Sequence, residues 1–394
     1  MPGFETRNRF IAATAFACLL LLAIRSSAQT IQEATPLSAS DIQQKTDAIA
    51  GQIVSHSSDP AKRDVGLVIG VMYQGQPMKS TYGEVRRSKG VAPNDKTEFE
   101  IGSLTKTFTG ALLAVEVERG QMKLSDSVQR YLPKEVPVPR YQLQPITLLD
   151  LATHTSGLPK NMPARGSHLS DTEMYAFLST YKLSQAPGTQ FGYSNLGIAL
   201  LANVLERMTD KDWEDLLEKE ITGPLNMPDT RAHLDRDQKK RMAQGYTEDG
   251  SPAPGSTRGW PVLIGSTGLC STLDDMMKYL AFNLGLTQTD LDRVRDTLLR
   301  VRHQAATPGT GIALVWQTLS LAPGSKLVVV NKNGSTSGFY SYMGFIPQTK
   351  TGVVLMGNGP VHLNRYGMEL LRYINRVETN ETAPVIEDAG ALEK

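Results

Sequence analysis

The β-forming segments of this chain sit near its two ends, and residues 103–290 between them carry mostly helical patterns. Val65, Leu67, Val68, Ile69, Val71 and Met72 lead to Tyr73, and Gln74-Gly75-Gln76 separates that run from Lys79 to Tyr82, which predicts a hairpin. Three more β-rich runs, Leu327 to Val330, Tyr340 to Ile346 and Gly352 to Met356, come late. A final helix is expected from Leu363, Gly367, Leu370 and Ile374. The expected architecture is therefore α+β. One antiparallel sheet is assembled from both termini and flanked by helices, with a mostly helical lobe of about residues 110–290 inserted.

The chain has 394 residues, enough for one large domain or two interleaved lobes with a sizeable core. Its formal net charge of +1 gives no reason to expect nucleic acid or an anionic membrane surface as partner. Residues 1–28 read as a secretory signal. Arg7 and Arg9 precede an apolar run from Phe10 to Ile24, and Ser26-Ser27-Ala28 forms a small-residue cleavage site. An exported protein, periplasmic or secreted, is expected, with an uncleaved N-terminal anchor as the alternative. Of two cysteines, Cys18 lies in the apolar run, so the processed chain holds Cys270 alone and forms no internal disulfide. The histidines show no metal-ligand spacing. No metal and no other cofactor is expected, and the protein is expected to be a monomer. Residues 29–40 read as a linker, 41–376 as the folded domain and 377–394 as a disordered tail.

Chemistry is concentrated at three places. In Ser103-Leu104-Thr105-Lys106, a serine and a lysine three residues apart open a helix marked by Leu104, Phe108, Leu112 and Val115, with Gly120 as its stop. Hydroxyl and amine then share one face, so Lys106 can accept the Ser103 proton if it is held neutral. The same serine could equally be a helix N-cap beside a solvated lysine.

Tyr193-Ser194-Asn195 precedes a second amphipathic helix with Ile198, Leu201, Leu205 and Met208. If the segment is extended, Tyr193 and Asn195 project the same way. A phenol flanked by lysines would be pushed toward phenolate and could exchange a proton with Ser103. Asn195 could hold a substrate amide or Lys106. The plainer alternative is a turn with a packed tyrosine and a capping asparagine.

Lys332-Asn333-Gly334-Ser335 follows the strand Leu327 to Val330. Gly334 would admit a substrate backbone to the strand edge. The Ser335 N–H could join that of Ser103 as an oxyanion-binding pair, and Lys332 would supply positive charge for a carboxylate. Alone, this is also a plain Asn-Gly turn.

Ser-x-x-Lys, Tyr-x-Asn and Lys-x-Gly in this order resemble the serine β-lactamase and penicillin-binding protein superfamily. The middle motif points to its class C branch, and no Ser-Asp-Asn occurs. The likeness spans about residues 45–376. It includes Val91 to Asn94, Phe99 to Gly110, Lys123 to Asp126, Leu151 to Pro159 and Gly338 to Pro347. Within the superfamily the chain is most similar to AmpH-type D-alanyl-D-alanine carboxypeptidase/endopeptidases. The resemblance implies a class C β-lactamase/DD-peptidase-like fold and a serine hydrolase acting on β-lactams or D-Ala-D-Ala peptides of peptidoglycan. Ser103 would be the acylated nucleophile, Lys106 its proton partner and Tyr193 the general base and acid. Lys332 would orient the tyrosine and bind a carboxylate. Asn195, Asn333, Gly334 and Ser335 would contact substrate, Asn333 standing where the family carries threonine.

Two rivals use the same residues: a carboxylesterase on this scaffold, and a penicillin-binding sensor that stays acylated. His154 has no identifiable acidic partner and reads as structural. Gly334 to Gly338 is no nucleophile elbow, because Thr336 stands where the serine is needed.

Overall fold

The N-terminal hairpin forms as expected, with strands β1 (Leu67–Tyr73) and β2 (Gln76–Tyr82). Its turn places Gln74 and Gly75 at φ 50° and 73°, the left-handed pair that two-residue hairpin loops favour. The structure, a computed structural model, describes residues 36–54, 65–163, 170–254, 261–305, 307 and 309–378. The expected signal segment and the tail from 379 lie outside these residues. The described residues from 40 to 378 belong to one compact unit.

Six strands from the C-terminal part complete the sheet: β3 (His303–Gln304), β4 (Gly311–Ile312), β5 (Gln317–Ser320), β6 (Val328–Ser335), β7 (Tyr340–Ile346) and β8 (Thr351–Gly357). The order is β2-β1-β8-β7-β6-β5-β4-β3, and every pairing is antiparallel. β1 pairs with β8 in the register Leu67↔Gly357 to Met72↔Gly352, so the N-terminal hairpin and the C-terminal strands join in one sheet. Strands β3 to β5 were not foreseen. The first two have only two residues each, too short to show a period of two.

The helices among the described residues include α1 (Ala39–Val54), α2 (Thr105–Glu118), α3 (Leu148–Ala152), α4 (Asp171–Thr180), α5 (Asn195–Thr209), α6 (Leu273–Asn283) and α7 (Asn364–Ile374). α1 begins inside the segment read as linker. Its buried Ile42, Ile49, Ala50 and Ile53 recur at helical spacing, and Lys45 pairs with Glu369 of α7 at 2.5 Å. Side chains alternate across a strand, so the two faces can be separated. A Cβ on Gly367 of α7 would lie 2.2 Å from the Tyr342 ring, which places Tyr342 on the α7 face. A Cβ on Gly352 would meet Leu280 of α6 at 2.6 Å, and Gly352 pairs with Phe345, so the odd-numbered positions of β7 face α6.

α2 is buried on every side from Thr105 to Glu116, rather than along one apolar stripe. It is the central helix of the core, and its polar positions are satisfied from within. Thr107 Oγ1 donates to Leu104 O at 2.7 Å, and Thr109 Oγ1 donates to Gly265 O at 2.6 Å.

Glu98, just before this junction, is fully buried. Neither carboxyl oxygen has a hydrogen-bond partner. Arg241 Nη2, 3.5 Å from Oε1, is near enough to attract it but not to bond it. Burial pushes this carboxyl up to about 9, with the Arg241 charge opposing. The neutral buried acid therefore contributes fully below its ordinary value of 4.5, and the contribution is lost as pH rises toward about 9. Glu98→Gln should raise the melting temperature more at pH 8 than at pH 5. The stability difference between the two pH values should be about 1–3 kcal/mol, and equal gains at both would refute a neutral buried Glu98.

Candidate active site

Ser103 lies on a single 3-10 turn, Gly102–Leu104, that runs straight into α2. Leu104 occupies the N-cap of α2, and no side chain caps it, so the Ser103 hydroxyl is not spent on the helix. Lys106, one turn on, is fully buried. Its Nζ donates to Ser103 Oγ at 2.9 Å and to Ser266 O at 2.9 Å. The solvated-lysine alternative is thereby excluded, and Ser266 is a partner that no sequence spacing announced.

Tyr193 comes from the loop before α5. Its hydroxyl donates to Ser103 Oγ at 2.8 Å, ninety residues away in sequence. Lys332 Nζ lies 4.9 Å and Lys106 Nζ 5.2 Å from the Tyr193 ring centroid. Two lysine amines therefore lie against the ring of one phenol. α5 starts at Asn195 itself, one residue after the N-cap Ser194, whose hydroxyl accepts from Gly197 N. The expected extended Tyr-x-Asn segment thus breaks at Ser194. Asn195 Nδ2 donates to Asn161 Oδ1 at 2.9 Å, and its Oδ1 is buried without a hydrogen-bond partner. Asn161, in the loop after Pro159, was not foreseen.

Lys332, Asn333, Gly334 and Ser335 lie inside β6, not in a turn after it, paired in order with Met343, Tyr342, Ser341 and Tyr340 of β7. On the other side, β5 pairs only with Val328 to Asn331. Beyond that point the neighbour of β6 is the Ile101–Ser103 turn. A Cβ on Gly334 would sit 2.0 Å from Ile101 O and 2.8 Å from Ser103 N. One on Gly102, at φ 50°, would sit 2.7 Å from Ser335 N. Only two backbones in direct contact explain glycine at both positions. Ser341 Oγ fixes the junction by donating to Ile101 O at 2.8 Å. The backbones of Ser103 and Ser335 are thus held side by side next to the Ser103 hydroxyl. Lys332, paired with Met343, projects to the α6 face. Asn333, paired with Tyr342, starts on the opposite face and is 8 % exposed, so alternation parts it from Lys332.

His154 follows α3 and is 2 % exposed. Its ring lies 4.6 Å from the Tyr193 ring. Burial, then the charges of Lys332 and Lys106, hold this imidazole well below its ordinary pKa. Among the described residues no group of three His, Cys, Asp or Glu is arranged to hold a metal ion.

Residues 50–373 match the beta-lactamase family model. This chain is a member of the beta-lactamase family. The D-alanyl-D-alanine-carboxypeptidase/endopeptidase AmpH of Escherichia coli (strain K12) is 33% identical to it over 366 residues, covering 89% of this chain and 91% of that protein. A beta-lactamase of the same strain is 29% identical over 325 residues, covering 74% and 84%. Among solved structures, a beta-lactamase/D-alanine carboxypeptidase from Yersinia pestis complexed with citrate superposes with a TM-score of 0.74 at 26% identity, over 86% of this chain and 99% of that one. A class C beta-lactamase from Rhodobacter sphaeroides shares the fold, with a TM-score of 0.74 at 24% identity over 84% and 99%. This family member therefore has the α+β architecture expected from its strand distribution and the class C fold that the resemblance implied, and it is a hydrolase of the beta-lactamase/DD-carboxypeptidase group.

Proposed function

We propose that this beta-lactamase family member is an exported serine hydrolase that forms an acyl-enzyme on Ser103 and acts on D-Ala-D-Ala peptides of peptidoglycan, on β-lactams, or on both. The observation that carries the reading is the convergence of Lys106 Nζ and Tyr193 OH on Ser103 Oγ, at 2.9 and 2.8 Å. Both lie within proton-transfer reach of a hydroxyl whose backbone lies close to that of Ser335. Export is read from the N-terminal pattern of Arg7, Arg9 and the apolar run to Ile24.

Ser103 Oγ attacks the substrate carbonyl carbon as its proton passes to Lys106 or Tyr193, whichever holds an unprotonated atom. The carbonyl oxygen takes the negative charge and is held by the Ser103 and Ser335 N–H groups, a contact made only as charge develops. Collapse breaks the C–N bond, and the nitrogen leaves with a proton delivered by Tyr193. Water then attacks the ester with Tyr193 as base, and Ser103 regains its proton. Lys332 keeps a positive charge against the Tyr193 ring and attracts the substrate carboxylate. Gly334 lets the Ser103 turn, rather than a substrate backbone, approach β6, and Asn195 bonds a substrate amide. The similarity to AmpH of Escherichia coli supports a peptide substrate.

Intact-mass spectrometry over time tests this reading. Incubation with benzylpenicillin should add one penicillin mass to the protein, and a muropeptide pentapeptide should lose its terminal D-alanine. An unmodified protein and an intact pentapeptide, with p-nitrophenyl esters turned over, would assign an esterase instead.

A further inference from the structure

α3 ends at Ala152 with Thr153 as its C-cap, and the next residue, His154, adopts φ 56°. This left-handed conformation is uncommon for a residue with a side chain, and it turns both carbonyl and ring of His154 toward residues 191–194. Gly192 N–H donates to His154 O at 2.7 Å, and Ser194 N–H donates to His154 Nδ1 at 3.2 Å. These are the residues on either side of Tyr193. The imidazole also rests 4.6 Å from the Tyr193 ring at 39°, and 5.9 Å from the Phe191 ring at 83°. Nδ1 accepts a hydrogen bond, so the neutral ring carries its proton on Nε2. Nε2 is buried and has no hydrogen-bond partner.

We propose that His154 is a positioning residue for Tyr193, clamping the backbone on both sides of it and bearing on its ring so that the phenol oxygen stays on Ser103 Oγ. A loop would otherwise leave this oxygen free to wander, and the gap it must hold is a single 2.8 Å hydrogen bond. Burial and the two lysine charges keep the imidazole neutral. Protonation would add a third cation beside Lys106 and Lys332 and convert Nδ1 from acceptor to donor, releasing Ser194. The imidazole therefore takes no part in proton transfer and acts only through Tyr193. The inference rests on the reading of Ser103 and Tyr193 as the reacting pair.

Two variants and one spectrum test it. His154→Phe keeps an aromatic ring and removes the acceptor. His154→Asn tolerates the left-handed backbone and offers a carbonyl oxygen near the place of Nδ1. Thermal melts establish that each is folded, and the amplitude of the penicillin burst counts competent sites. Per competent site, His154→Phe should acylate roughly 10- to 100-fold more slowly while KM moves less than about threefold. Its pH–rate profile should shift, because the Tyr193 ring is no longer fixed against both lysines, and His154→Asn should recover part of the loss. A wild-type rate and pH profile in His154→Phe would overturn the proposal, as would a His154→Asn variant as slow as His154→Phe. Nitrogen-15 NMR of histidine-labelled protein is independent of activity. It should show one neutral ring with its proton on Nε2 from about pH 8 to 5.5, and a ring protonated on Nδ1 would overturn the clamp. Failure of the wild-type protein to acylate would instead sink the reading of Ser103, and leaves the tautomer to be read separately.

Discussion

Ser103→Ala should abolish covalent labelling by a penicillin and lower turnover of any acyl substrate by on the order of 10⁴- to 10⁶-fold. The size of the effect follows from the position of one atom. Ser103 Oγ is where the Lys106 and Tyr193 hydrogen bonds meet, so its removal deletes the nucleophile and leaves both proton carriers without their common partner. The fold should be nearly unaffected. Ser103 caps no helix, Lys106 keeps its bond to Ser266 O, and the lost group is one hydroxyl. Intact-mass spectrometry after penicillin treatment, beside a thermal melt, reads both halves of the expectation. A penicillin adduct on the folded variant would mean that another residue is acylated and that Ser103 is not the nucleophile.

Gly334→Ala should be nearly as damaging, although alanine adds only one carbon. That carbon would lie 2.0 Å from Ile101 O, 2.6 Å from Ser341 Oγ and 2.8 Å from Ser103 N. Two of these three are backbone atoms that no rotamer change can move. The Ile101–Ser103 turn and β6 must separate, and with them the two N–H groups that would receive the oxyanion. Misaligning one such donor costs roughly 10²- to 10³-fold in the acylation step, and overpacking a junction of this kind costs about 1–3 kcal/mol of stability. Stopped-flow acylation with a chromogenic cephalosporin, together with a thermal melt, measures the two effects. If the variant acylates at the wild-type rate, the oxyanion does not rest between β6 and the Ser103 turn.

The same junction shows how far reading residues in order can go. Ser103 and Lys106 were legible because a helix fixes the relative place of residues three apart, whatever surrounds it. The hairpin was legible because Gln74-Gly75 allows the left-handed turn between two β-rich runs. Residues far apart in sequence followed no such rule. The resemblance to a family supplied the order of the three motifs, and the fold then set Tyr193, Ser103 and Lys332 within one cluster. Ser266, which accepts from Lys106 through its backbone, left no trace, because a carbonyl acceptor can be provided by any residue. Asn161 and Ser341 were hidden for a related reason: each acts through a partner brought by a different element. His154 read as structural, and the structure shows what it supports.

Local periodicity and turn chemistry, then, determined the α+β class, the hairpin and the central and C-terminal helices, and put Ser103 within reach of Lys106, since each depends on neighbours within a turn or a strand. Only the tertiary structure decided that Lys332 to Ser335 continue β6 rather than turn away from it. It also decided that the pairing of β5 with β6 ends at Asn331, leaving the Ser103 turn to take its place beside the strand, and that alternation sends Asn333 to the face opposite Lys332. The physical reason is that strand register and backbone approach are set by the partner strand and by the absence of a Cβ at Gly102 and Gly334. Those constraints come into being only when segments more than two hundred residues apart pack against one another.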